Sequence, residues 1–265
     1  MPTTFESFLQ GLPDVTLEEM PVNHIAHLDY LNDFLTNQAI KNDYLGIECE
    51  VFKRHLLYIF YGKPAFRLLN KSAFPICFVL KMPESDPAMA YPFDTGAFFH
   101  NRMDAYFKKT DHRLEDFQVA PLKNQNHRKI VSTFFEDNRQ YYESKATRHT
   151  SLDGLPACVE GYYKMIADPV TDLDQLDNRK SAVEFLYDIP LELTKDSVEL
   201  IVLPDIEFNI DGTIIEYDKL KNNLEARFNC VVESYQTMTR KPVTDFYDTI
   251  HRVVEKYLKT IKIWP

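Results

Sequence analysis

Three observations in the sequence predict an α+β fold. Short runs rich in β-branched and aromatic residues, HLLYIFY, PICFVL, SAVEFLY and VELIVLP, read as buried strands. Ile130, Val131, Phe134, Phe135 and Tyr142 recur at roughly helical spacing, as do Phe246, Ile250, Val253, Val254, Tyr257 and Leu258. No linker or repeat separates strand-like from helix-like stretches. A single domain over 1–265 is therefore expected, with 217–265 as a helical appendage in the alternative.

The elements follow in order. FESFLQGL reads as a short amphipathic helix ended by Gly11 and Pro13. An extended piece, Val22 to Leu28, runs into a helix for which Asp29 is the expected cap, with Leu31, Phe34, Leu35 and Gln38 at helical spacing. His27 falls at that junction, where a histidine ordinarily plays a structural part. Between the runs HLLYIFY and PICFVL, the segment GKPAFRLLNKSAF carries Gly62, Pro64, Lys63 and Arg67, so a hairpin with a constrained cationic connection is expected.

Phe93, Asp94, Thr95 and Gly96 read as a turn capping a helix from about Ala97 to Lys108. Lys123, His127, Arg128 and Lys129 form the densest basic cluster, which reads as a solvated helix start. One helix is expected over Ile130 to Tyr142. The loop with Asp168, Asp172, Asp174 and Asp177 lacks the ladder and closing Glu of a calcium loop, so it reads as solvated. Ala182–Tyr187 and Val198–Leu203 are expected strands, and FNIDGTIIEY a hairpin with Asp211 and Gly212 as a type I′ turn. From Lys219, two helices are expected on either side of Lys241 and Pro242.

Composition excludes several classes. With 40 acidic against 30 basic residues and a net charge of −10, broad capture of nucleic acid or anionic membrane is disfavoured, and any nucleic-acid contact must be local. No window is apolar enough to span a membrane and the first residues lack a signal pattern, so a cytoplasmic protein is expected. The sequence has 7 glycines and neither GxGxxG nor GxxxxGK[ST], so dinucleotide-fold and P-loop readings fall away. Cys49, Cys77, Cys158 and Cys230 are far apart among apolar neighbours, which predicts buried free thiols rather than zinc ligands or disulfides. The 15 tyrosines and 19 phenylalanines suit a large core and equally a pocket that stacks a planar ligand.

Glu184 is the anomaly of the strand runs. It interrupts AVEFLY where a strand is buried or half-buried, harmless on a solvent face but chemically tunable in a pocket.

Three pieces, IAHLDYLNDFL, LLYIFYGKPAFR and SAVEFLYDIPLELTKDSVELIVLP, occur in this order and resemble the ADP-ribosyltransferases, particularly the bacterial toxins that modify nucleic acid. The resemblance covers roughly 22–80 and 179–205 and implies a split β-sandwich with flanking helices and a C-terminal helical extension. It makes His27 the residue for the adenosine ribose and Tyr61, or next Tyr58, the ring that stacks on nicotinamide. Lys63 or Arg67 would meet the pyrophosphate, and Glu184 would be the catalytic carboxylate. The order YGKPAFR departs from the arginine–proline order of those toxins, which leaves open the basic residue concerned and whether DNA is the target. NAD is then the substrate and no metal is needed. A macromolecule, RNA or DNA ahead of protein, is the acceptor, and a neutralising protein partner is implied for a toxin or defence effector. The alternative function is a non-catalytic acidic binding module or a subunit of a toxin–antitoxin or defence complex. A metal-dependent nuclease finds only loop acids.

Overall fold

The computed structural model describes residues 4–41, 48–65, 74–99, 112–120, 125–147, 154–167, 178–237 and 244–264. The strands are β1 Val22–His27, β2 Ala39–Ile40, β3 Leu57–Tyr61, β4 Pro75–Leu80, β5 Met89–Tyr91, β6 Glu184–Tyr187, β7 Leu191–Glu192, β8 Val198–Pro204, β9 Phe208–Ile210, β10 Thr213–Ile215 and β11 Val231–Tyr235. The helices are α1 Phe5–Gln10, α2 Leu31–Asn37, α3 Thr95–Phe99, α4 Asn126–Phe135, α5 Asn138–Tyr142, α6 Ala157–Ala167, α7 Tyr217–Phe228 and α8 Thr244–Thr260. The fold is mixed α+β with mostly antiparallel strand pairing. None of the described helices is long and apolar enough to cross a membrane.

Chain contacts divide the protein into two compact units. The first is Met1–Glu19, Cys49–Arg54 and Ser85–Tyr187, and the second is Met20–Glu48, His55–Glu84 and Asp188–Pro265.

In the second unit the strand order is β11-β8-β4-β1-β3. The expected hairpin of β3 and β4 does not form, because β1 lies between them and pairs antiparallel with both, through Val22↔Tyr61 and through Val22↔Leu80 to His27↔Pro75. Val22 to Ala26 are all buried, as a strand flanked on both sides requires. The long connection after β3 has the length to step over one strand, about 10 Å at the usual spacing. The handover at Leu28 is a short 3₁₀ turn ahead of α2. Asp29 lies inside that turn, and Tyr30 occupies the cap position of α2.

β8 pairs antiparallel with β4, and β11 pairs parallel with β8 from Val231↔Leu200 to Tyr235↔Pro204. A parallel neighbour requires a crossover, here the β9–β10 hairpin followed by α7. The hairpin turns as expected, with Asp211 at φ 50° and Gly212 at φ 79°, both left-handed as a type I′ turn demands. β11 replaces part of the expected helical tail: α7 stops at left-handed Asn229, and two β-branched valines follow. α8 packs on β11, β4 and β8 through Phe246, Ile250, Val254 and Leu258, all buried. Tyr235 stacks tilted on Phe246 at 5.3 Å and donates its hydroxyl hydrogen to the Pro75 carbonyl at 2.7 Å. Of the described parts of 217–265, β11 is a strand of the sheet and α7 and α8 pack against β11.

In the first unit β5 and β6 pair antiparallel, with Tyr91↔Glu184, Ala90↔Phe185 and Met89↔Leu186. Phe5 of α1, Phe134 of α4 and Tyr162 of α6 form its aromatic centre: Tyr162 meets Phe5 edge-on at 5.2 Å and Phe134 edge-on at 5.0 Å. The single helix expected over Ile130–Tyr142 is two. Glu136 has φ 72°, which breaks the helical path, and Asp137 starts α5 by accepting from the Gln140 amide at 2.7 Å.

The basic cluster is not a solvated helix start, although Lys123 lies outside the described residues. His127 and Lys129 are buried. They and Arg128 hold down the end of α1 and the segment that follows it, where Leu9, Leu12, Leu17 and Glu18 offer carbonyls to side chains. Lys129 Nζ donates to Leu12 O at 3.0 Å and Leu9 O at 3.5 Å, Arg128 Nη1 donates to Leu17 O at 3.0 Å, and His127 Nε2 lies 2.8 Å from Glu19 Oε1. Asn138 adds a bond to Glu18 O at 2.9 Å. Lys129→Ala leaves buried carbonyls without this donor, so a loss of about 1–3 kcal/mol is expected in urea unfolding, against little change for the exposed Lys164→Ala.

Among the described cysteines no disulfide occurs. Cys77 and Cys158 are buried and free as expected, while Cys49 and Cys230 are free but partly exposed. The acidic loop residues Asp168, Asp172, Asp174 and Asp177 lie outside the described residues, as does the expected helix beyond Phe99.

Candidate active site

In the first unit, Tyr91 ends β5 opposite Glu184, the first residue of β6. The chain then turns through Pro92, Phe93 and Asp94 into α3. The Asp94 amide donates to Arg179 O at 3.1 Å, and its carboxylate Oδ1 accepts from the Ala97 amide at 2.7 Å, so Asp94 caps the helix. A side chain at Gly96 would bring a Cβ within 3.2 Å of that same Oδ1, a close contact to the capping carboxylate. The cap aims the next residue at β6: Thr95 N and Thr95 Oγ1 both donate to Glu184 Oε2, at 3.0 and 2.7 Å.

Glu184 is fully buried, and its other oxygen, Oε1, has no hydrogen-bond partner. Burial first, and the Asp94 carboxylate second, push its carboxyl well above the usual carboxylate range. The two Thr95 bonds pull it back, and Cys49 adds a smaller upward push. The same burial, with Glu115 and Glu184 nearby, raises the Tyr91 hydroxyl. The site therefore holds a carboxyl that burial disfavours as an anion, with one oxygen clasped by Thr95 and the other without a partner.

The other candidate residues belong to the second unit. His27 ends β1 half-buried, edge-on to Tyr30 at 5.9 Å, with its pKa lowered by burial and partly restored by Asp29. Tyr61 is paired with Val22 at the opposite end of β1, about 17 Å away along the strand. It is fully buried and its hydroxyl accepts from the Met20 amide at 3.2 Å. Lys63 is also fully buried, its amide bonded to Tyr61 O at 2.7 Å. Tyr58 is half-buried, and its carbonyl lies 3.0 Å from His24 Nδ1. Within this unit the strand register brings Tyr61 and Lys63 together and leaves His27 at the far end. Arg67 lies outside the described residues.

The clasp of Glu184 by Thr95 was not legible in the sequence, although DTG before an apolar run signals the cap. His24, three residues before His27 in β1, is the more deeply buried of the two. Among the described residues no group of three or more His, Cys, Asp or Glu side chains is arranged to hold a metal ion. Comparison of the chain with family models, with curated proteins and with solved structures finds no match to any of them.

Proposed function

We propose that the protein is an NAD-dependent ADP-ribosyltransferase that passes ADP-ribose to a macromolecular acceptor, nucleic acid in preference to protein, as a cytoplasmic toxin or defence effector. The observation that carries this reading is the unpartnered Oε1 of a fully buried strand-end glutamate, Glu184. The ADP-ribosyltransferase-like split β-sandwich is part of the proposal, supported by the sequence resemblance and by the mixed α+β character of the fold.

In the reaction the bond from the ribose anomeric carbon to nicotinamide breaks, and its electron pair leaves with nicotinamide. The acceptor's nucleophile bonds the same carbon and releases its proton. The transition state is oxocarbenium-like, so a carboxylate that binds the ribose hydroxyl and faces the charge stabilises it more than the ground state. Glu184 is fully buried, so NAD reaches its carboxyl only when the residues that cover it move. The cationic nicotinamide ring opposes the upward push of burial on the Glu184 carboxyl, so that binding and proton release are linked. His27, Tyr61 or Tyr58, and Lys63 or Arg67 keep the ribose, ring and phosphate roles that the resemblance implies.

A second reading, a non-catalytic acidic module or a subunit of a toxin–antitoxin or defence complex, is favoured by the wide separation of His27 from Tyr61 and by the burial of Tyr61 and Lys63. Incubation with labelled NAD and RNA, DNA or protein acceptors decides between them. The first reading expects NAD consumption that falls by about a hundredfold or more in Glu184→Gln. Wild-type protein that neither binds nor consumes NAD leaves the second.

A further inference from the structure

In the second unit a groove of about 760 Å³ lies between the start of β8, β11 and the last turns of α8. Its size is that of a small-molecule site. Glu199 of β8 lines it, and Glu199 Oε2 is shielded from solvent without a hydrogen-bond partner. The Tyr257 hydroxyl and Lys81 face the same carboxylate. Lys195 and Lys256 stand at the rim with exposed side chains. Val231 and Ile261, two of the large apolar residues that stay exposed, also line the groove.

These groups ask for three things in one ligand: a donor for the unpartnered Glu199 oxygen, an anion for the lysines, and an apolar portion for Val231 and Ile261. The lining lysines are offset by Asp196, Glu199, Glu225 and Glu233, so a polyanion such as a nucleic-acid strand meets no net attraction. Glu225 is in addition bonded to Lys221 at 3.3 Å, and Glu199 is the acid among those lining the groove with a shielded oxygen that lacks a hydrogen-bond partner, which makes it the acceptor for a ligand's cation.

We propose that this groove binds a small zwitterion with an apolar side chain, a hydrophobic amino acid or short peptide, with its ammonium at Glu199 and its carboxylate at Lys81 and Lys256. The proposal stands apart from Glu184 and does not depend on NAD chemistry. Burial raises the Glu199 carboxyl above its ordinary range against the pull of Lys81 and Tyr257, which is the state an arriving ammonium would relieve.

Calorimetric titration of the full chain with leucine, leucyl-leucine, N-acetyl-leucine and leucine amide tests it. Saturable binding of leucine or leucyl-leucine at millimolar concentration or below is expected, and the stronger of the two identifies amino acid or peptide as the source. Blocking either end should weaken binding about tenfold, as should Glu199→Gln or Lys256→Ala. Lys256 is exposed on α8, so its variant carries the test if circular dichroism shows Glu199→Gln to be misfolded. Absence of saturable binding by either zwitterion overturns the proposal. Equal binding of the blocked compounds, or undiminished binding by the folded variants, overturns it as well.

Discussion

Lowering the pH from 6.5 to 4 is expected to remove about 3 kcal/mol of stability through His24 alone. The imidazole is buried in β1 against Phe34, with ring centroids 5.9 Å apart. Its Nδ1 lies 3.0 Å from Tyr58 O, which fixes the neutral tautomer with Nδ1–H donating, and its Nε2 is buried without a partner. A second proton would be stranded there, so burial lowers the pKa from 6.5 to about 4, with the Tyr58 bond opposing. The unfolded chain takes up a proton below pH 6.5 that the folded chain refuses until about pH 4. Stability from this group is thus present above 6.5 and lost through that window. His27 adds a smaller effect of the same sign. Urea unfolding at pH 7, 5.5 and 4 should show the loss in wild type and a much flatter profile in His24→Gln. Parallel profiles would remove His24 as the cause.

Glu184 acts in the opposite direction. Its folded pKa is raised, so its contribution is complete below about pH 4.3, the unfolded value, and is lost as pH rises through the folded value. Glu184→Gln keeps an oxygen for the Thr95 donors and never ionises. At pH 8 the variant is expected to be more stable than wild type by on the order of 1–3 kcal/mol, with the difference gone at pH 4. Thr95→Val removes the 2.7 Å hydroxyl bond and should be destabilising by about 1–3 kcal/mol. A Glu184→Gln variant destabilised equally at both pH values would show that the carboxyl is ionised in the folded protein. On the proposed function the same substitution lowers NAD consumption by about a hundredfold or more, so activity and stability would move in opposite directions.

The strands were legible where their composition was extreme. LYIFY, PICFVL and EFLY are short, aromatic or β-branched and buried, and each forms a strand. The Asp211–Gly212 turn was legible because its backbone conformation admits few residue types. Pairing was not legible, since β3 and β4 carry no mark of the β1 strand that separates them. Only the register places His27 and Tyr61 at opposite ends. β11 was missed because Glu233 and Ser234 dilute a five-residue strand set between helices. The basic cluster was misread because a charge run shows nothing of the carbonyls that will meet it, and Lys129 is buried by bonds to residues far away in the chain. Glu184 stood out as a charge in an apolar run, yet its clasp depends on a cap, Asp94, that lies on a different element.

The most direct test is a carbon-13 NMR titration of the Glu184 side-chain carboxyl, assigned by its absence from Glu184→Gln, with and without NAD. The account predicts a midpoint well above the ordinary glutamate value of about 4.3 in the free protein and a fall in that midpoint when NAD is added. A midpoint at the ordinary value that NAD does not move would contradict it.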